Sequence, residues 1–265
     1  MKSFQRETIW ITGASSGIGE ALAIAFHREG ANLILSARRA EELKRVKNSC
    51  SDGPGEVHIL SLDLSRTETH QELVQEAISR FGQVDMLVNN GGISHRGLAH
   101  ETRLEVVRRV MEVNFFGTVS LTRELMPHML QRDSGHIVVI SSVMGKFSTR
   151  FRSAYAASKH ALHGWFDALR QECHNTGIDV TLVCPGYVNT PVTYSALQAD
   201  GTPLNRMGEG QQQGMEPGRF ADRLLPKLRA RKPEIYIGGT EVAGVWLKRL
   251  APRLLDQILA RTKVT

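Results

Sequence analysis

Seven short runs rich in Val, Ile and Leu recur along the chain, at Thr8–Thr12, Asn32–Ser36, Val57–Leu62, Met86–Val88, His136–Ile140, Val180–Cys184 and Glu234–Ile237. Between them lie segments of helical character: Glu20–Glu29, Ala40–Ser49, Thr67–Phe81, Arg103–Arg132, Ala154–Thr176 and Arg219–Arg231. A strand that is apolar on both faces has to be covered on both faces, and crossover helices over a parallel sheet do that. Right-handed crossovers then give a doubly wound α/β sheet of about seven strands with helices on both faces. Its ligand crevice lies at the carboxyl ends of the strands. With no internal repeat and no Pro/Ser-rich linker, one domain over 1–265 is expected.

Composition narrows the class further. Hydrophobic residues at 41% and charged residues at 23% are globular proportions, which excludes collagen-like and disordered chains. No apolar run approaches the ~18 residues of a membrane span, and the polar start does not read as a secretory signal. Cys50, Cys173 and Cys184 show no CxxC spacing, so reduced thiols and a cytoplasmic setting are expected. The net charge is +6, and the last fifty residues hold eleven Lys and Arg against five Asp and Glu. No zinc-finger spacing or basic arm accompanies that excess, so no nucleic-acid partner is expected. The ten histidines form no HExxH, and His160 and His163 read as ordinary helix residues, so no metal is expected.

Two segments stand outside the strand–helix rhythm. Residues 187–215 hold several glycines, a Gln211-Gln212-Gln213 run and no periodicity, which reads as a substrate lid or a flexible insertion. The basic tail, about 240–265, is amphipathic and is broken by Pro252. Docking on the domain's own core or on a partner subunit is the leading reading; an interfacial membrane helix is the other.

The chemistry begins where the first strand turns into the first helix, at Thr12-Gly13-Ala14-Ser15-Ser16-Gly17-Ile18-Gly19. Glycines here let the backbone turn sharply and approach a pyrophosphate seated on a helix N-terminus. Further on, Tyr155 and Lys159 stand four apart on a helix and share a face. A cation ~4 Å from a tyrosine favours phenolate and makes the phenol a usable acid/base near neutrality. Ser141 and Ser142 end the fifth strand at the ligand-binding edge, and alternation turns their side chains to opposite faces.

Thr12–Gly19, Asn89-Asn90-Gly91-Gly92, Ser142, Tyr155-Ala156-Ala157-Ser158-Lys159 and Pro185-Gly186 stand in the order and spacing of the short-chain dehydrogenase/reductase family. The chain resembles that family over nearly its whole length. Tyr155–Trp165 with Cys184–Thr190 is similar to the branch of lipid-directed reductases around 11β-hydroxysteroid dehydrogenase. The resemblance implies a Rossmann-type sheet and a catalytic set of Asn114, Ser142, Tyr155 and Lys159. Within that set Ser142 and Tyr155 meet the substrate, and Asn114 supports a proton-relaying water. It implies cofactor contacts from Gly13, Ser15, Ser16, Gly17, Ile18 and Gly19, from Tyr155 and Lys159, and from Val188 and Thr190 at the nicotinamide. Asp63 would meet the adenine and Asn90 the adenosine ribose. Gly91 stands where the family usually has Ala, a change expected to loosen packing.

Cofactor choice is readable at the end of strand two. Ser36-Ala37-Arg38-Arg39 carries no acid for a ribose 2′-hydroxyl, whereas Arg38 and Arg39 can grip a 2′-phosphate. NADP(H) is therefore expected, although many NADP-using relatives place a basic residue where this chain has Ser16. By the same resemblance the long helices imply a homodimer or homotetramer. The implied activity is hydride transfer between nicotinamide and a carbonyl or secondary alcohol, on an apolar or lipid-like ketone. A non-catalytic NADP(H)-binding sensor is the alternative.

Overall fold

The computed structural model describes residues 4–262; the first three residues and the end of the tail, 263–265, lie outside the described residues. The strands are β1 (Thr8–Thr12), β2 (Asn32–Ser36), β3 (Val57–Ile59), β4 (Met86–Asn89), β5 (Gly135–Ile140), β6 (Ile178–Pro185) and β7 (Glu234–Ile237). All pair in parallel, in the order β3-β2-β1-β4-β5-β6-β7. The strand order reverses between β1 and β4, where a crevice opens at the carboxyl ends. The helices are α1 (Gly17–Arg28), α2 (Ala40–Ser49), α3 (His70–Phe81), α4 (Leu104–Met111), α5 (Gly117–Arg132), α6 (Ser153–Glu172), α7 (Glu209–Gln212), α8 (Pro217–Arg229), α9 (Ala243–Leu250) and α10 (Pro252–Arg261).

Strand alternation sorts the core into two layers. Ile9, Ile11, Leu33, Leu35, Met86 and Val88 face one side and pack with Leu22 and Phe26 of α1 and Phe220 and Leu224 of α8. Trp10, Ile34 and Leu87 face the other and pack with Val74 of α3, Leu121 and Leu125 of α5, and Leu162 and Phe166 of α6. The indole N–H of Trp10 is satisfied inside that layer by Ser36 Oγ at 2.8 Å. An apolar strand covered on both faces is what the composition of the runs demands.

Most element ends shift by a few residues from the sequence reading, and three differences matter for the site. β3 stops at Ile59 rather than Leu62, although the Leu60 and Leu62 amides still donate to Leu35 and Ala37 carbonyls. The helix expected from Glu20 begins at Gly17, directly on the glycine turn. The single long helix over Arg103–Arg132 is three pieces, because a π-helical turn at Glu112–Phe116 separates α4 from α5. The wider turn carries Asn114 inward, and π turns of this kind concentrate at functional sites.

Residues 187–215 are folded over the crevice. Val188 bridges Met215, and Leu197 bridges His95 and Pro203. Leu197 is buried with Val106, Val110 and Ala154, so this large aliphatic fastens the lid to α4 and α6. The tail packs on the body through Leu255, which is buried against Val143 and Phe147 with Val242, Val245, Leu247 and Leu259 around them.

Candidate active site

One cleft runs along the carboxyl ends of the strands, from the β2 end past the glycine turn to Ser142, Tyr155 and the tail. It holds about 2440 Å³. That exceeds the roughly 300–1,000 Å³ of an ordinary single-ligand pocket, so a dinucleotide and a second molecule fit together.

At the turn, Gly13 and Gly17 have φ of 64° and 59°, which favours glycine. A Cβ on Gly13 would stand 2.7 Å from Gly91 Cα, and one on Gly17 would stand 3.0 Å from Thr190 Cβ. The second approach brings Thr190, and with it the Val188–Thr190 segment, onto the phosphate loop. Ser16 is the N-cap of α1 and makes no side-chain capping bond, so the helix N-terminus faces the cleft uncapped. These residues fit a pyrophosphate.

Asn90 lines the cleft and also braces the glycine turn. Its side-chain amide donates to the Thr12 and Gly13 carbonyls at 3.0 and 3.1 Å, and its backbone N–H donates to Thr12 Oγ1 at 3.0 Å. It staples the glycine turn to β4. Gly91 does not leave loose packing, since a Cβ there would meet Leu64 Cδ1 at 2.7 Å. Leu64 occupies the room that the family's methyl would take.

Arg38 and Arg39 line the end of the cleft beyond β2. Arg39 reaches Ser15 Oγ at 3.4 Å. Arg45 of α2, which motif spacing does not reveal, donates to the Ser15 carbonyl at 3.3 Å and to Glu20. The Glu20 and Glu42 carboxylates raise its already high pKa. Asp63 also lines this end and accepts from the Ser65 N–H and hydroxyl at 3.0 and 2.8 Å. Burial opposes its ionisation, yet the Ser65 donors with Arg38 and Arg66 outweigh that and hold the carboxyl below its usual range.

At the other end, Ser142 Oγ accepts from the Met144 N–H at 3.1 Å, and the serine stands near enough to the Tyr155 phenol to lower its pKa. Ser141 points away, to His163 Nε2 at 3.1 Å, as alternation requires. Burial pushes the Tyr155 phenol above its usual pKa, while the Arg152 charge and the nearby Ser142 pull it back. It therefore carries its proton at neutrality.

The lysine differs from expectation. Lys159 Nζ lies 5.7 Å from the Tyr155 ring centre and donates to the Ile140 carbonyl at 2.8 Å. Burial pushes its pKa down to about 8, against a smaller opposing influence of Cys184. Lys159 thus lies against the Tyr155 ring, and Arg152, which no motif marked, is a second cation acting on the phenol.

A consequence is measurable as stability against pH. The native ammonium loses its proton near 8 while the unfolded chain keeps it to about 10.4. The unfolded state then binds more protons, so stability rises with pH across that window. The wild type should gain about 3 kcal/mol relative to Lys159→Met between pH 8 and 10.4, read from paired denaturant titrations. A difference that is flat with pH would place the charged lysine in a solvated site.

Asn114 does not line the cleft but braces it. Its Oδ1 accepts from the Ile93 N–H at 2.8 Å, and its Nδ2 donates to the Ile93 carbonyl and Ser158 Oγ at 2.9 and 3.0 Å. The π turn, the irregular segment following β4 and the Tyr155–Lys159 helix are thereby locked together.

Behind Lys159, among the described residues, His163, Cys184 and Glu234 approach one another closely enough to suggest metal ligands. Lys146 Nζ already meets Glu234 Oε1 at 2.6 Å and supplies the positive charge that a metal would bring.

A cleft of this shape, with a tyrosine, a serine and a lysine at one end and a glycine turn in the middle, is that of a pyridine-nucleotide-dependent oxidoreductase. The short chain dehydrogenase family model matches residues 7–200. A Drosophila melanogaster protein, Dehydrogenase/reductase SDR family protein 7-like, is 41% identical over 263 residues, covering 97% of this chain and 81% of that protein. A short-chain dehydrogenase from Streptomyces avermitilis superposes with a TM-score of 0.81 at 30% identity, covering 97% of this chain and 98% of that one. A short chain dehydrogenase/reductase from Burkholderia phymatum, in complex with NAD, does so with a TM-score of 0.84 at 25% identity, covering 100% and 98%. The chain belongs to the short-chain dehydrogenase/reductase family.

Proposed function

We propose that this oxidoreductase uses NADP(H) and reduces an apolar or lipid-like ketone. The observation that carries the reading is the Tyr155 phenol, kept protonated by burial and lining, with Ser142, a cleft able to hold two molecules. When bound, the cofactor supplies hydride exchange at its nicotinamide. Ser142 positions the carbonyl oxygen, and Tyr155 gives it a proton as negative charge develops there. Lys159 and Asn114 hold the helix and the Ile93 segment that aim the phenol. The NADP(H) preference is supported by Arg38, which faces the β2 end with no hydrogen-bond partner among the described residues and no acid at Ala37. The Burkholderia phymatum relative, held with NAD, makes that preference a matter for measurement. Loss of nicotinamide absorbance from NADPH with a panel of apolar ketones tests the whole reading. A protein that binds NADPH but consumes none with any ketone would instead be the sensor.

The substrate reading is supported by the apolar wall that Phe147, Leu247, Leu255 and Leu259 add to the cleft. A homodimer or homotetramer is supported by Leu104, Phe116 and Leu130, all exposed along α4, the π turn and α5. A reducing, cytoplasmic setting suits three unpaired cysteines. The outer face of the tail is different in kind: Trp246, Leu250, Leu254 and Ile258 are exposed beside Lys248, Arg249, Arg253 and Arg261. That combination suits peripheral contact with an anionic lipid surface. The wild type should sediment with anionic vesicles at low salt, and Trp246→Ser with Leu250→Ser should not, with unchanged Tm. Equal sedimentation of both proteins would leave the tail a purely structural element.

A further inference from the structure

Immediately before α6 stands Arg152, 3% exposed, on the wall of the cleft beside Tyr155 and Ser94. Its Nη1 donates to Ser94 Oγ at 2.8 Å and to the His95 carbonyl at 3.3 Å, while its Nε is buried without a partner. A guanidinium has five N–H donors in a planar fork. Among the described residues no carboxylate pairs with this one. A buried cation without an anion is costly, and natural proteins keep few of them outside binding sites.

The surroundings deepen the imbalance. Arg96 is partly buried, also has an unpartnered buried Nε, and has its pKa pushed down to about 10 by burial and then by Arg152 and Arg206. Arg96 and Arg206 thus add to the positive charge around Arg152 and bring no acid with them. The cofactor does not account for them. Its phosphate-binding features, the glycine turn with Arg38 and Arg39, lie along the β1–β2 side of the cleft. Arg152 instead shares a wall with the group that protonates the substrate.

We propose that Arg152 recognises a carboxylate or phosphate on the ketone substrate, whose apolar portion lies along Phe147 and Leu255. The site would then select amphiphilic ketones with an anionic head. Bidentate pairing by the arginine fork would fix the distance from the anion to the carbonyl. This rests on the carbonyl-reductase reading above.

The test compares matched ketones with NADPH at fixed ionic strength. One arm pairs long-chain oxo-acids, with the carboxylate one to three carbons from the carbonyl, against their methyl esters. The other pairs phosphate esters of long-chain 1-hydroxy-2-ketones against the free alcohols. The wild type should favour one class of anion over its neutral mate by at least about thirtyfold in kcat/KM. Arg152→Met should collapse that ratio towards one whatever happens to the absolute rates, and Arg152→Lys should keep part of it. A residue that only braces the Ser94–His95 segment would lower both members together and leave the ratio intact, which overturns the proposal. So would a wild type indifferent to charge. Thermal shifts with the same pairs read binding apart from turnover. If no ketone is consumed, the reductase reading fails, and a shift given by the anionic member alone and lost in Arg152→Met still upholds the arginine's role. Equal shifts from both members would end it. If Arg152→Met does not fold, the wild-type ratio with Arg152→Lys decides.

Discussion

Replacing Tyr155 by Phe should leave NADPH binding intact and lower kcat by about 10²–10⁴, the range expected when a general acid is lost. The substitution keeps the ring and removes only the hydroxyl. The ring's surroundings therefore stay filled, and Ser142 keeps its bond from the Met144 N–H. The phenol is protonated at neutrality because burial holds its pKa up, so its contribution belongs to the reduction direction. Oxidation of an alcohol would need the phenolate and should accelerate as the pH rises towards that raised value. Fluorescence of bound NADPH separates binding from turnover. A Phe variant that keeps most of the wild-type rate would make Tyr155 a packing residue and leave the acid unidentified.

The second large effect concerns cofactor choice. Ala37→Asp with Arg38→Leu should lower the NADP-to-NAD ratio of kcat/KM by about 10–100-fold. A lost charged hydrogen bond is worth about 1.5–3 kcal/mol, and each 1.4 kcal/mol is tenfold. Arg38 is the informative position because it is exposed at the β2 end and makes no hydrogen bond, whereas Arg39 is partly engaged with Ser15 and Arg45 with Glu20. The new carboxylate would repel a 2′-phosphate and accept from a 2′-hydroxyl. Equal losses for both cofactors would show that Arg38 does not read the phosphate, and would turn attention to Arg39 and Arg45.

Local periodicity made most of this molecule legible. Tyr155 and Lys159 lie one helical turn apart, so their shared face needs no tertiary knowledge. Ser141 and Ser142 are separated by strand alternation alone, and their neighbours, His163 and Tyr155, lie on the sides that alternation requires. What escaped depends on contacts between distant segments. The family motif names Asn114, but the π turn that carries it inward leaves no mark in apolar spacing. Asn90 bonds carbonyls some 77 and 78 residues earlier, so its strut role is invisible until β1 and β4 lie side by side. That Lys159 also donates to the Ile140 carbonyl, 19 residues earlier, is likewise invisible before β5 and α6 pack together. Arg152 did leave a signal: it stands three residues before Tyr155, at the spacing that puts it beside the phenol as the helix begins.

The central claim is that this cleft passes hydride to a ketone and that Tyr155 completes the alcohol. The most direct measurement follows deuterium from NADPH labelled at the transferring position of its nicotinamide into a ketone that the wild type consumes. One deuterium should appear on the carbinol carbon for each cofactor oxidised, and Tyr155→Phe should transfer almost none while still binding the cofactor. Bound NADPH that is never oxidised, or a product altered with no net change in cofactor, would contradict the account.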